Sequence, residues 1–276
     1  YFGMSLFRLV NSMLNKENFK IDKIQYESIF VSHLLNQDSF DLNEDFYFYK
    51  LPKKFQDHDN RTLQVYINHT RINSNKFKNE KASNSVDKLV LPEYISLPEE
   101  LKIQFSLLKE AIKMLKQKPS KEINSRIRIQ AGIEFLSPAS HINARIGKQI
   151  KDLVKQSKAK YIFTTHEGHA YERVIFANAR NSNESIMCIG YQHAFILNKQ
   201  HAVQRKLGRE FDPDFVLCSG EDGKRKLIKS NYLAKEKILI FGTDRTSKKN
   251  ILFKQKRNTF LVLPEGDLIE CFPFVD

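Results

Sequence analysis

Two short stretches concentrate the residues able to move a proton or hold an anion. One is His166-Glu167-Gly168-His169 with Glu172 and Arg173 close behind; the other is Gln192-His193. A carboxylate at a strand-to-helix turn can face a cleft and take a proton from a hydroxyl, which makes Glu167 a candidate general base. Its plainer reading is a partner for the positive end of the helix dipole, and Glu172 reads equally well as a first-turn acid. Arg173 suits a phosphate or a carboxylate, or a simple pair with Glu172. His193 directly follows a strand, so it either handles substrate and protons or packs at the sheet end. His201 has no such context and reads as structural. His166 and His169 straddle a turn rather than lying four apart on one helical face, so a zincin-type metal site is not expected. Cys188 and Cys218 fall inside strand patterns and read as small core residues, not nucleophiles.

These side chains need elements to place them. Tyr161–Thr165 predicts a strand, Gly168–Arg180 a helix, and Ile186–Gly190 a strand. Phe215–Ser219 predicts a strand, Asp222–Ser230 a helix, and Ile238–Gly242 a strand. Strands alternating with helices imply a parallel sheet with right-handed crossovers. Ligands of such sheets sit beyond the carboxyl ends of the strands, where these stretches fall, together with Ser219-Gly220-Glu221 and Gly242-Thr243-Asp244-Arg245. Upstream, Phe2–Leu14 predicts a helix, and Ile21–Leu35 a strand and then a helix. Asp45–Leu51 and Leu63–His69 predict strands, and Arg71–Asp87 an exposed loop. Leu97-Pro98-Glu99-Glu100 opens a helix that Pro119 ends, with Leu101, Phe105, Leu108, Ile112 and Leu115 on its apolar face. Ala144–Gln156 predicts a further helix. After a basic segment, Thr259–Leu263 predicts a strand followed by Pro264-Glu265-Gly266.

Composition bounds the class. The 276 residues are 41% hydrophobic and 28% charged, with 45 Lys/Arg against 32 Asp/Glu. That is too apolar for a disordered chain. No stretch reaches the roughly 20 apolar residues a membrane span needs. Three cysteines build no disulfide framework and fit a reducing compartment. The net charge of +13 is uneven: 199–257 holds 16 Lys/Arg against 7 Asp/Glu. The compositional bias of an AT-rich genome is one reading of this balance; an anionic partner such as a phosphate, nucleotide, nucleic acid or membrane surface is the other. The start at Tyr1 and the strand near the end suggest an internal stretch of a longer protein. On this reading 1–247 is one domain, 248–258 a basic linker, and 259–276 the opening of a second α/β domain.

Glu167-Gly168-His169-Ala170-Tyr171-Glu172-Arg173, Gly190-Tyr191-Gln192-His193, Asp212-Pro213-Asp214 before Ser219-Gly220, and Gly242-Thr243-Asp244-Arg245 occur in that order. The set resembles bacterial surface-carbohydrate biosynthesis proteins of the GT-B glycosyltransferase type, with distant similarity to capsule-polysaccharide and Kdo transferases, over roughly 145–276. Ala194 departs from the glycine often found after Gln-His in that family. The resemblance implies a Rossmann-like parallel sheet flanked by helices, the acceptor-side domain of a two-domain transferase. It implies no essential metal or cofactor, a nucleotide-sugar as donor, and a glycan or lipid-linked acceptor. Glu167 would then be the base, with His193 beside it in the catalytic pair. His166, His169, Glu172, Arg173, Gln192, Arg245 and Glu265 would contact substrate. The location implied is cytoplasmic, and the basic segment 248–257 would suit an anionic membrane surface.

Two alternatives stay open. A nucleotide-sugar epimerase shares the architecture and its cleft carboxylates. A basic binding module for nucleic acid or membrane explains the charge, but few aromatics interleave with the basic segment, which disfavours nucleic acid.

Overall fold

Residues 28–34 (SIFVSHL) show how the sheet forms: Ile29 and Val31 point to one face and Phe30 to the other, the period-2 pattern of a strand buried on both sides. The computed structural model describes residues 9–13, 25–42, 44–58, 61–70, 72–77, 86–116, 122–197 and 200–243. The chain divides into Tyr1–Arg245 and Thr246–Asp276, and every described residue belongs to the first unit. Residues 9–13 are helical; the rest of the expected helix 2–14, the linker 248–258, the strand 259–263, Arg245 and Glu265 lie outside the described residues.

The strands are β1 (Ser28–Leu34), β2 (Thr62–Asn68), β3 (Asp87–Val90), β4 (Tyr161–Thr165), β5 (Met187–Gln192), β6 (Phe215–Cys218) and β7 (Ile238–Ile240). They form one seven-stranded sheet in the order β3-β2-β1-β4-β5-β6-β7, and each adjacent pair is parallel. The helices are α1 (Asp38–Asp41), α2 (Leu51–Asp57), α3 (Leu97–Lys116), α4 (Glu122–Phe135), α5 (Pro138–Ser157), α6 (Ala170–Ser182), α7 (His201–Gln204) and α8 (Glu221–Lys229). The protein is thus α/β with a Rossmann-like sheet. The chain builds outward from β1 to β3, returns through α3 to α5, and builds the other half from β4. The direction of winding reverses between β1 and β4, which opens a crevice at their carboxyl ends.

One face of the sheet packs on α5 and α6. Ile29, Val31, Val65 and Ile162 meet Ile150, Leu153, Val154, Ile175 and Phe176 there, all buried. The two helices approach closely at Gly147, where a Cβ would come within 2.6 Å of Val174 Cγ1. The other face is aromatic: Phe30 stacks on Phe163 at 4.3 Å, and Phe48 and Phe55 meet Phe30 edge-on at 5.3 and 5.4 Å. Cys188 and Cys218 are buried, as their positions in the strands predict.

Three expectations need correction. Asp45–Leu51 is not a strand: Asp45 Oδ1 accepts from the Tyr47 and Phe48 amides, Tyr49 takes φ 51°, and Leu51 and Pro52 open α2. The local hydrogen bonds of an Asx turn outcompete a ladder here. No helix follows the strand within 28–35, because the chain bends at 36–37 into the short α1. The apolar stripe of α3 is not core: Phe105, Ile112 and Leu115 are exposed, while Glu100 and Ala111 are buried. Periodicity says which residues share a face, not whether another layer covers it. Strand β3 and helix α4 had no counterpart in the sequence reading. Among the described residues, no helix is long and apolar enough to cross a membrane.

Because Ile150 is fully buried between sheet and α6, Ile150→Ala should lower unfolding free energy by about 2–5 kcal/mol in urea denaturation.

Candidate functional site

The site grows from the turn between β4 and α6. Glu172, in the first turn of α6, is fully buried and folds back onto that turn. Its Oε1 accepts from the Glu167 amide at 2.8 Å and from Thr165 Oγ1 at 3.1 Å. Its Oε2 accepts from the Gly168 and His169 amides at 2.9 and 3.0 Å. Gly168 takes φ 94°, a conformation that favours glycine. Burial pushes the Glu172 carboxyl up to about 7 against the pull of these donors. Glu172 therefore shapes the turn from beneath and is closed to a ligand.

The turn presents Glu167. Its Oε1 lies 2.7 Å from His193 Nε2 and its Oε2 lies 3.3 Å from His169 Nε2. Hydrogen bonds from His169 and then His193 pull the Glu167 carboxyl far below the usual range. In return, the Glu167 hydrogen bond raises the His169 pKa from its ordinary value. The His169 side chain is 57% exposed and that of His193 only 6%, so His169 is the one solvent and ligand can reach. Its ring stacks on Tyr171 at 5.4 Å, while His193 lies against Tyr47 at 5.0 Å.

The N-terminal half supplies partners absent from the sequence reading. His33, in β1 beside the switch point, places Nε2 2.6 Å from Tyr171 Oη and Nδ1 2.7 Å from His69 Nε2. Tyr171 Oη in turn lies 3.0 Å from Thr165 Oγ1. A hydrogen-bonded chain thus runs from exposed His69 through His33, Tyr171 and Thr165 to buried Glu172. Burial lowers His33 to about 4 and raises the Tyr171 hydroxyl, so both stay neutral around pH 7. Asp45 is buried on Ser32 and Gln64 at 2.6 and 3.4 Å, and its turn aims Tyr47 at His33 and His193. The strand-end rule points to His33 and His69 once β1 and β2 are accepted as parallel members of the same sheet.

The remaining candidates lie elsewhere. His166 is fully buried, stacked on Tyr232 at 5.3 Å, and both ring nitrogens lack a partner among the described residues. Burial holds it down at about 3. Arg173 is buried and bound to Asp212 at 2.6 Å and to the Tyr232 hydroxyl, so it braces the core. Gln192 is buried, with its amide on the Ala194 carbonyl. The geometry therefore brings together Glu167, His169 and His193, and withdraws His166, Glu172, Arg173 and Gln192 from ligand contact. Among the described residues, no group of three His, Cys, Asp or Glu is placed to hold a metal ion.

The buried His166 generates a pH prediction. The unfolded imidazole takes a proton near pH 6.5 and the folded one only near 3, so its contribution is present above 6.5 and lost as pH falls through this window. Relative to His166→Phe, the protein should lose about 3 kcal/mol of unfolding free energy between pH 7 and pH 4, read by urea denaturation at each pH.

No protein-family model matches this chain, and no curated protein matches it in sequence.

Proposed function

We propose that the β1/β4 crevice is the acceptor-side acid–base site of a glycosyltransferase. It would move a sugar from a nucleotide-sugar to a hydroxyl of a glycan or lipid-linked acceptor in surface-polysaccharide synthesis. The observation that supports this best is one ionised carboxylate, Glu167, shared by two imidazoles at the carboxyl edge of a parallel sheet. A base works best with its pKa near the operating pH. Glu167, pulled down by two histidines, is too acidic for that role, whereas His169 is raised and exposed. The base is therefore His169 in its neutral form, and Glu167 orients the ring and stabilises the charge it gains; His193 holds the other oxygen of the carboxylate. His169 takes the acceptor hydroxyl proton as that oxygen bonds to the anomeric carbon. The bond from that carbon to the diphosphate oxygen breaks, and the nucleoside diphosphate leaves with the electron pair. The resemblance in residues 145–276 supplies the reaction class. A nucleotide-sugar donor sets the reaction in the cytoplasm, where a lipid-linked acceptor brings the protein to the membrane surface.

The test is turnover of a nucleotide-sugar panel with and without saccharide acceptors, read by mass spectrometry, alongside NMR of the His169 imidazole during acceptor titration. Product should require acceptor, and saccharides should shift the His169 signal. His169→Gln should keep the fold and lower kcat by about 10²–10⁴-fold. Glu167→Gln should move the acidic limb of the pH profile down, since it removes what raises His169. Turnover without acceptor would replace the transferase by an epimerase. Undiminished kcat in His169→Gln would reject His169 as base, and no turnover with no imidazole shift would reject the site.

A further inference from the structure

A second concavity lies at the opposite edge of the sheet. Asp214 precedes β6 and Lys237 precedes β7, so this is the amino edge, away from the crevice of the proposed transferase reaction. The cavity has a volume of about 400 Å³, within the ~300–1,000 Å³ range of small-molecule pockets. Pro213, Leu233 and Ala234 give it apolar walls, and Lys206, Arg209 and Lys237 line it with positive charge.

Among the described residues, its cations do not pair with its carboxylates. Asp212 and Asp214 also line it, but both carboxylates are committed elsewhere. Asp212 holds Arg173 at 2.6 Å and the Leu207 and Gly208 amides at 3.0 and 2.8 Å. Asp214 holds Arg180 and the Cys188 amide at 2.9 and 2.8 Å. Lys206, Arg209 and Lys237 have no ion pair among the described residues, although each belongs to the basic stretch 199–257 that the crevice leaves unused. The Asp212 hydrogen bonds, with Gly208 at φ 108°, fix the loop that carries Lys206 and Arg209. A wall held before a ligand arrives reduces the ordering cost of binding.

We propose that this cavity binds a phosphorylated small molecule, its phosphate among Lys206, Arg209 and Lys237 and its less polar body against Pro213 and Leu233. Phosphate accepts from several cationic donors at once, and three cations lining one cavity match it better than a single carboxylate. The site stands independently of the transferase reading, because it shares no residue with the crevice.

Calorimetric titration with inorganic pyrophosphate in about 0.15 M salt, with amide NMR of the same samples, tests this. Saturable binding is expected, with shifts confined to 205–214 and 233–238. Lys206→Gln/Arg209→Gln/Lys237→Gln should weaken it by about tenfold or more. Removing three charges elsewhere, Lys102→Gln/Lys109→Gln/Lys116→Gln, should leave it unchanged, and thermal melts should show both variants folded. Equal weakening in the two variants, or no saturable binding, would overturn the site. Displacement of pyrophosphate by phosphatidate vesicles but not by glycerol 3-phosphate would overturn the small-molecule source in favour of a lipid headgroup.

Discussion

The turn after β4 closes around the carboxylate of Glu172. A buried carboxylate without partners costs several kcal/mol; here three backbone amides and the Thr165 hydroxyl surround it. One of these bonds satisfies the His169 amide at the start of α6, the end where the helix dipole favours negative charge. Glu167 and His169 sit on the backbone that Glu172 holds, so their meeting with His193 depends on it. The hydrogen-bonded chain through Thr165, Tyr171 and His33 ties this turn to β1 across the switch point.

The environment then separates groups of like chemistry. Glu167 and Glu172 are five residues apart, yet two imidazoles pull the first down and burial pushes the second up. His169 is raised by a carboxylate at the surface, while His33 and His166 are lowered by burial. Such divergence separates proton-handling groups from those that only hold geometry. It leaves the raised, exposed imidazole of His169 beside a carboxylate held low.

Much of the second half was legible in the sequence. Short β-rich runs between helical stripes gave β4 through β7, α6 and α8 to within two residues, and α5 from its seventh residue on, because each is a local pattern with a clear period. Glu167, His169 and His193 followed from the rule that strand ends carry ligands. The first half was harder for a physical reason. The DFYFYKL run alternates like a strand, but Asp45 captures nearby amides and turns it into aromatic cover for the sheet. The α3 stripe is equally regular and remains exposed, since nothing in a single helix records what packs against it.

By itself the sequence determined the fold class, the parallel sense of the later strands and the stretches where proton-handling residues gather, since these rest on short-range periodicity and turn chemistry. Only the tertiary structure decided which of those residues meet. It folded Glu172 under its own turn and turned Arg173 toward Asp212, 39 residues away. It also set His33 against Tyr171 from 138 residues away. Burial and charge are properties of the assembled surroundings, and those surroundings set which histidine is free to take a proton.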